Sequence, residues 1–296
     1  MNQNKHPKVF VIVLNYNGGE LLRGCLRSVF QLDYPNFEVV LVDNASTDGS
    51  LEMAKESFSR AHIIRSDQNR GFSAGNNLGI RFALEKMTDF VFLLNPDALM
   101  EKNTLTHLIE TAENNPQAGI LSPVIFQDQS EKIWFAGGRI EWSKMRATHL
   151  QKITSENHYQ SEYLSGCAML VRKDVFKKIG LLDEDYFLYY EDTDFSFRAS
   201  QSGFQLLVVP KTKVFHFEKS ENNLAFKTYW LVFSGLLFFN KNATTFTKIW
   251  LKFYLLGRKM KNWRELRKGG HPLAETVKRA YNDYTQWKRN HPASHS

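Results

Sequence analysis

Cysteine is scarce: Cys25 and Cys167 are the only two in 296 residues, and each sits among apolar neighbours. Their scarcity excludes a disulfide framework and a clustered-cysteine metal site, and it fits a reducing cytoplasm. Long hydrophobic runs are missing as well. The most apolar stretch, TYWLVFSGLLFF at 228–239, is shorter than the roughly 20 residues a helix needs to cross a bilayer, so it reads as a buried or interfacial helix. The amino-terminal MNQNKHPK runs straight into a strand-like block without the layout of a signal peptide, which argues against secretion. No internal repeat or low-complexity tract occurs. Acidic residues thin out towards the C-terminus. Residues 226–296 hold 14 Lys and Arg against 3 Asp and Glu, a net +11, while the first 225 residues carry −4. The overall +7 thus combines a near-neutral working domain, expected at 1–225, with a basic extension, 226–296, suited to an anionic surface.

What is present is ample apolar material, 43% of the chain, enough for one large α/β domain and an appendage. From residue 8 the blocks KVFVIVL, ELLRGCLRSVF, FEVVLVD, LEMAKESFS and HIIRS set a βαβαβ rhythm. SAGNNLGIRFALEKM continues it as a helix and DFVFLLN as a strand. Val- and Ile-rich blocks without polar alternation predict strands buried on both faces, as in a mostly parallel sheet flanked by helices. CAMLV and QLLVVP read as further strands, and the polar stretch Ser143–Ser161 as a long surface loop. In the extension, FTKIWLKFYLLGRKMKNW at 246–263 has the composition of a helix lying on an anionic bilayer; packing against the first domain is the competing account.

Polar clusters follow the first strands at NYNG, DNASTDGS and NPDA, and in an open α/β sheet such clusters converge on a crevice beyond the strand carboxyl ends. Asn15, Tyr16 and Asn17 offer an aromatic face and backbone groups to a planar ligand. Asp43 could accept a hydrogen bond from the imide N–H of uracil or thymine, although Asp43 and Asp48 equally suit a turn and a helix cap. NRGFSAGNN at 69–77 places Gly71 and Gly75 where backbone can approach a ligand, or simply makes a tight loop-to-helix turn. Asp97, with Asn95 alongside, would suit a hard divalent cation near a diphosphate. His216, at the end of another predicted strand, could add a ligand or be purely structural. In YYEDTDFSFRA at 189–199, a partly desolvated carboxylate among Glu191, Asp192 and Asp194 could serve as a proton acceptor. The same acids could cap a helix and face its dipole.

In order and spacing, VIVLNYNG, VDNASTDGS, NRGFSAGNN, LLNPDA, SGCAMLVRKDVF, GLLDEDYFLYYEDTDFSFRA and the late His216 resemble the inverting, nucleotide-sugar-dependent glycosyltransferases of family 2, especially their bacterial rhamnosyltransferase-like branch. The resemblance spans residues 9 to about 220 and implies the Rossmann-like GT-A fold. It implies that Leu14, Tyr16 and Asp43 hold the nucleotide base and that the loop from Gly71 to Asn76 lies against the nucleotide sugar. It further implies that Asp97 and His216 bind Mg²⁺ or Mn²⁺ at the donor diphosphate, with Asn95 beside them in the substrate site. Asp192 matches the general base, with Glu191 and Asp194 shaping its surroundings or the acceptor site. One departure stands out: where many relatives carry two or three acids, this chain has Asn95 and Pro96 before Asp97.

The expected activity is therefore transfer of one sugar from a UDP- or dTDP-sugar, with dTDP-rhamnose a candidate, to a lipid-linked or polysaccharide acceptor in cell-surface glycan synthesis. The expected location is cytoplasmic and peripheral, on the inner face of the membrane. A catalytically inactive nucleotide-sugar-binding homologue is the alternative, resting on the thinned acid motif. A nucleic-acid partner is not expected, because the basic extension has no recognised nucleic-acid motif and is rich in bulky apolar residues. A nucleotidyltransferase would show a basic glycine-rich phosphate loop near the first strand, for which NYNGGELLRG is a poor match.

Overall fold

The computed structural model describes residues 6–217, 224–269 and 272–291. The start of the N-terminal stretch and short parts of both segments assigned above lie outside the described residues. The chain opens with β1 (Val9–Asn15), α1 (Gly19–Val29), β2 (Phe37–Asp43), α2 (Ser50–Ser57), β3 (His62–Arg65), α3 (Gly71–Glu85) and β4 (Phe90–Leu94). It continues with β5 (Ala98–Met100), α4 (Thr104–Asn114), β6 (Ala118–Gln127), β7 (Ile133–Phe135), β8 (Gly138–Glu141), β9 (Arg146–His149), β10 (Tyr159–Gln160), β11 (Ala168–Arg172), α5 (Lys173–Ile179), α6 (Glu191–Gln201) and β12 (Gln205–His216). Three helices follow: α7 (Leu224–Asn242), α8 (Thr245–Lys268) and α9 (Ala274–Asn290).

Two compact units emerge. The first comprises Met1–Arg139, Thr148–Asp185 and Glu191–Glu218. The second takes Ile140–Ala147, Tyr186–Tyr190 and Lys219–Ser296, so two short segments distant in sequence join the C-terminal helices.

Among the described residues, the first unit is built on a sheet ordered β10-β12-β6-β11-β4-β1-β2-β3, with β5 on β12 and β7 on β6. The pairs β4-β1, β1-β2 and β2-β3 are parallel. All seven residues of β1 are buried, as expected for a strand covered on both faces. Helix α1 buries Leu22, Cys25, Leu26 and Val29, the spacing of one helical face. Helix α3 comes unusually close to the sheet at two glycines one turn apart. A Cβ on Gly75 would stand 2.6 Å from Leu14 Cδ1, and one on Gly79 would stand 2.7 Å from Ile12 Cγ2.

The sheet is not parallel throughout. β11 runs antiparallel to both β4 and β6, and β12 pairs parallel with β6 but antiparallel with β5. The expected long loop Ser143–Ser161 instead contains a 3₁₀ turn at Trp142–Lys144 and the strands β9 and β10. Its β-branched and aromatic residues are too few to signal strands, and pairing with β8 and β12 supplies what local propensity does not.

In the second unit, α7 buries Phe233, Leu236, Leu237, Phe238 and Phe239. Trp142 packs edge-on against Phe239 with ring centres 5.3 Å apart, and Tyr229 Oη donates to Asp283 Oδ2 of α9 at 2.8 Å. The described residues contain no helix long and apolar enough to cross a membrane.

Candidate active site

The crevice is organised first by asparagines. Asn15, buried at the end of β1, places Nδ2 within 3.0 Å of Asp43 Oδ1 and Ser46 Oγ and 2.8 Å from Ser50 Oγ. Its Oδ1 accepts from the Gly18 N–H at 3.1 Å. The β1 and β2 ends are thereby locked together, leaving Tyr16 half exposed between them. Asn44 ties in the next segment, with Nδ2 donating to Asn69 Oδ1 and to the Gly71 carbonyl, and Oδ1 accepting from Arg70 N–H. Sequence reasoning gave Asn15 no such part and passed over Asn44, since an asparagine after a strand looks like ordinary turn chemistry.

These bonds amend three expected donor contacts. Asp43 is fully enclosed: Oδ1 accepts from Asn15 and Oδ2 from the Ser46 N–H at 3.2 Å. As it stands it organises the loop and presents no surface. Leu14 is nearly buried, its methyls against Gly75. The stretch Gly71–Asn76 is the first part of α3 and not a loop; Gly71 takes a left-handed φ of +76° at its start. Asn76 is buried with Nδ2 donating to the Phe72 carbonyl one turn earlier. Its neighbour Asn77 clamps the segment after α5, bonding both N–H and carbonyl of Leu182.

Asp97 and His216 meet because of strand register. His216, the last residue of β12, pairs with Ala98, the first of β5, and the Phe217 N–H donates to the Asp97 carbonyl at 2.9 Å. His216 Nε2 stands 3.2 Å from Asp97 Oδ1. Asp97 Oδ1 and His216 Nδ1 are both buried without a hydrogen-bond partner. Burial opposes charge on the imidazole, but the adjacent Cys167 and Asp97 win and push it up to about 11. An orphaned carboxylate oxygen beside an imidazole fits a hard divalent cation that takes its remaining ligands from water and a diphosphate. A self-sufficient cage is a different matter: no group of three or more His, Cys, Asp or Glu able to hold a metal occurs among the described residues. Asn95 sits at the same turn, half buried, its N–H donating to the Cys167 carbonyl and its carbonyl accepting from Ala98 N–H.

Asp192 lies in the first turn of α6, partly exposed. Its Oδ2 accepts from the Gly166 N–H at 2.9 Å and its Oδ1 from the Thr193 N–H at 2.6 Å. Space at Gly166 is tight: a Cβ there would come to 3.0 Å from the Phe72 ring and 3.4 Å from Asp192 Cβ. Desolvation raises the Asp192 carboxyl above the usual aspartate range, opposed by the Gly166 N–H and by His149. Glu191 is 5% exposed, with Oε2 buried and unpartnered. Burial first, then the neighbouring Asp192, hold it well above the usual carboxylate range.

Asp194 is turned inward, as a residue shaping the surroundings of Asp192 would be. It is 2% exposed and pairs with Arg198 Nε at 2.7 Å, one helical turn on. Arg198 in turn donates to the carbonyls of Ile179 and Leu181. Asp194 and Arg198 therefore anchor α6 to the chain leaving α5.

Two chains of contact join Asp192 to the Asp97–His216 pair. One runs through Gly166 and Cys167 to Asn95. The other runs from His216 to the Trp134 ring at 4.7 Å and on to the His149 ring at 4.5 Å, both edge-on, and His149 acts electrostatically on Asp192. Neither Trp134 nor His149 carried a signal in the sequence, because a lone aromatic or histidine in an irregular segment has no spacing to mark it.

Comparison with known proteins agrees with this architecture. Residues 10–180 match Glycosyl transferase family 2. The N-acetylglucosaminyl-diphospho-decaprenol L-rhamnosyltransferase of Mycobacterium tuberculosis is 26% identical over 233 residues, covering 70% of this chain and 75% of the relative. The dTDP-rhamnosyl transferase RfbF of Shigella flexneri is 25% identical over 216 residues, covering 73% and 70%. Among solved structures, GalNAc-T7 with UDP, GalNAc and Mn²⁺ superposes with a TM-score of 0.62 at 19% identity, over 74% of this chain and 45% of that one. The present chain thus spans under half the length of GalNAc-T7, and that likeness speaks for the fold alone. With the family match covering more than half its length and the sheet, turns and helices of a GT-A enzyme around it, this chain belongs to glycosyl transferase family 2 and is a glycosyltransferase with rhamnosyltransferase-like relatives.

Proposed function

We propose that the chain carries out inverting transfer of one sugar from a UDP- or dTDP-sugar to a lipid-linked or polysaccharide acceptor in cell-surface glycan synthesis. The relatives' names favour rhamnose from dTDP-rhamnose as the donor. The observation that carries the reading is the contact of a partly buried carboxylate, Asp192, through Gly166–Cys167 with the turn that bears Asp97, beside which His216 of β12 lies.

In this reading the acceptor hydroxyl gives its proton to Asp192 as its oxygen bonds to the anomeric carbon. The bond from that carbon to the diphosphate oxygen breaks on the opposite face, and configuration inverts. A Mg²⁺ or Mn²⁺ held by Asp97 and His216 would offset the charge gathering on the leaving diphosphate. Glu191 supports the base by staying neutral. Two adjacent carboxyls in one desolvated site do not both ionise readily, and the more deeply buried one keeps its proton. The exposed Tyr16 ring is the planar surface for the base. The basic, apolar-faced helices of the second unit support a peripheral position on the inner membrane face.

A thermal-shift screen of nucleotide sugars with and without Mn²⁺ tests the donor. dTDP-rhamnose with Mn²⁺ is expected to raise Tm by several degrees, since a ligand at a hundred times its Kd adds about 2.7 kcal/mol. Asp97→Asn should erase the Mn²⁺-dependent part of that rise. Absence of stabilisation by every UDP- and dTDP-sugar would remove the reading.

A further inference from the structure

Helix α8 is buried on one side only. Leu251, 3% exposed, is its sole buried residue. On the opposite side Phe246, Ile249, Phe253, Leu256, Met260 and Trp263 are exposed by 48–86%, and their spacing of three to four residues sets them along one face. Thr244 caps the helix start, its Oγ1 accepting from the Thr247 N–H, and Gly269 closes the other end with a left-handed φ of +62°.

At its C-terminal half α8 packs beside α9 and the two enclose an open cavity of about 440 Å³. Lys259, Asn262, Trp263, Arg267, Lys278 and Tyr281 line it. Among the described residues of the lining Glu275 is the only carboxylate, and it is within 3.5 Å of Lys278 Nζ. The other two cations rest on rings: the Arg267 guanidinium lies 3.8 Å from the Trp263 ring centre and Lys259 Nζ lies 5.4 Å from that of Tyr281. Trp263 belongs to both features. Its ring ends the exposed apolar stripe and also forms a wall of the cationic cavity.

We infer that the cavity between α8 and α9 is a binding site for the phosphate headgroup of an anionic membrane lipid, entered while the apolar face of α8 lies in the bilayer interface. The inference rests on the peripheral-membrane part of the proposed function and gives that contact a defined ligand pocket. A net-positive cleft with ring-backed cations matches a phosphate, which takes charge-assisted hydrogen bonds from Lys and Arg. An indole shared between cleft and apolar face suits the depth at which headgroup meets acyl chain. A water-soluble phosphate would need the cations but not the exposed apolar face.

The full-length protein is to be sedimented with vesicles of phosphatidylcholine alone or mixed with phosphatidylglycerol. Two charge-matched triples are compared: Lys259→Gln/Arg267→Gln/Lys278→Gln in the cavity, and Lys248→Gln/Lys252→Gln/Lys261→Gln elsewhere on α8. At low salt each triple should lower partitioning into mixed vesicles by up to about a hundredfold, the scale of three cations at an anionic leaflet, and the two should part as salt is raised. The control loss should vanish in high salt through screening, and part of the cavity loss should persist, because direct Lys and Arg hydrogen bonds to a phosphate are far shorter than the Debye length. Unchanged melting of both triples confirms that each is folded. Equal losses at every salt concentration would overturn the headgroup site and leave the membrane reading standing. No binding of the unmodified protein to mixed vesicles would overturn both. Stabilisation by inorganic diphosphate, with the cavity triple still binding vesicles normally, would assign the cavity to a soluble ligand instead.

Discussion

Asp192→Asn should lower the rate of sugar transfer by about 10²- to 10⁴-fold, the usual range for a lost general base, while donor binding and the fold persist. The substitution is nearly isosteric: the amide oxygen can still accept from the Gly166 N–H that holds Asp192 Oδ2 at 2.9 Å, and the bond given up is the local one from the Thr193 N–H to Oδ1. What the amide cannot do is take the acceptor proton. The pH profile gives a second handle. Desolvation holds the Asp192 carboxyl above its ordinary value, which in free peptides is about 3.9. The base works ionised, so the rate should fall with acidification through an inflection above that value. His149 pulls the Asp192 carboxyl down, and His149→Gln should move the inflection upward without abolishing transfer. Single-turnover measurements across pH check both statements. Turnover retained in Asp192→Asn would sink the assignment of the base.

The parallel half of the sheet was legible because of its chemistry. Strands such as VFVIVLN and FEVVLVD are apolar on both faces and end in Asn15 and Asp43, so both the strand and the crevice side of its end could be read. Strand direction beyond β4 was not legible: an apolar run has the same pattern whichever way it runs, and nothing in AMLVR announces that β11 is antiparallel. Asp97 and His216 were named from the sequence, yet only the pairing of β5 with β12 supplies the register that brings them to 3.2 Å. Asp43 and Asn76 were read as contacts to the donor; Asp43 spends both oxygens, and Asn76 its Nδ2, inside the protein. A polar residue after a strand reads alike whether it faces a ligand or fastens a loop. His149 and Trp134 required the irregular segment around β7–β9, where periodicity carries no information.

Of the two parts the sequence left open for Asp194, shaping the surroundings of Asp192 or the acceptor site, a single substitution separates one from the other. Asp194→Ala should destabilise the first unit by about 3 kcal/mol, the low end for removing one partner of a buried pair. The low end applies because Asp194 is enclosed at 3% side-chain exposure while Arg198 keeps 27%, so water can partly recover the abandoned guanidinium. At about 2–4 °C per kcal/mol for a domain of this size, Tm should drop by roughly 6–12 °C. The loss extends past the ion pair, because Arg198 also donates to the Ile179 and Leu181 carbonyls. Without Asp194 to aim it, Arg198 holds α6 less firmly to the turn after α5, and Asp192, two residues away on the same helix, leaves its seat against Gly166 only as that helix melts. Transfer should therefore weaken in proportion to the unfolded fraction near Tm and stay close to normal well below it. Asp192→Asn should show the reverse: normal melting and lost turnover at every temperature. Calorimetry and initial rates on the two variants, run in parallel, separate the roles. An Asp194→Ala protein that melts normally but fails to turn over would return Asp194 to the substrate site.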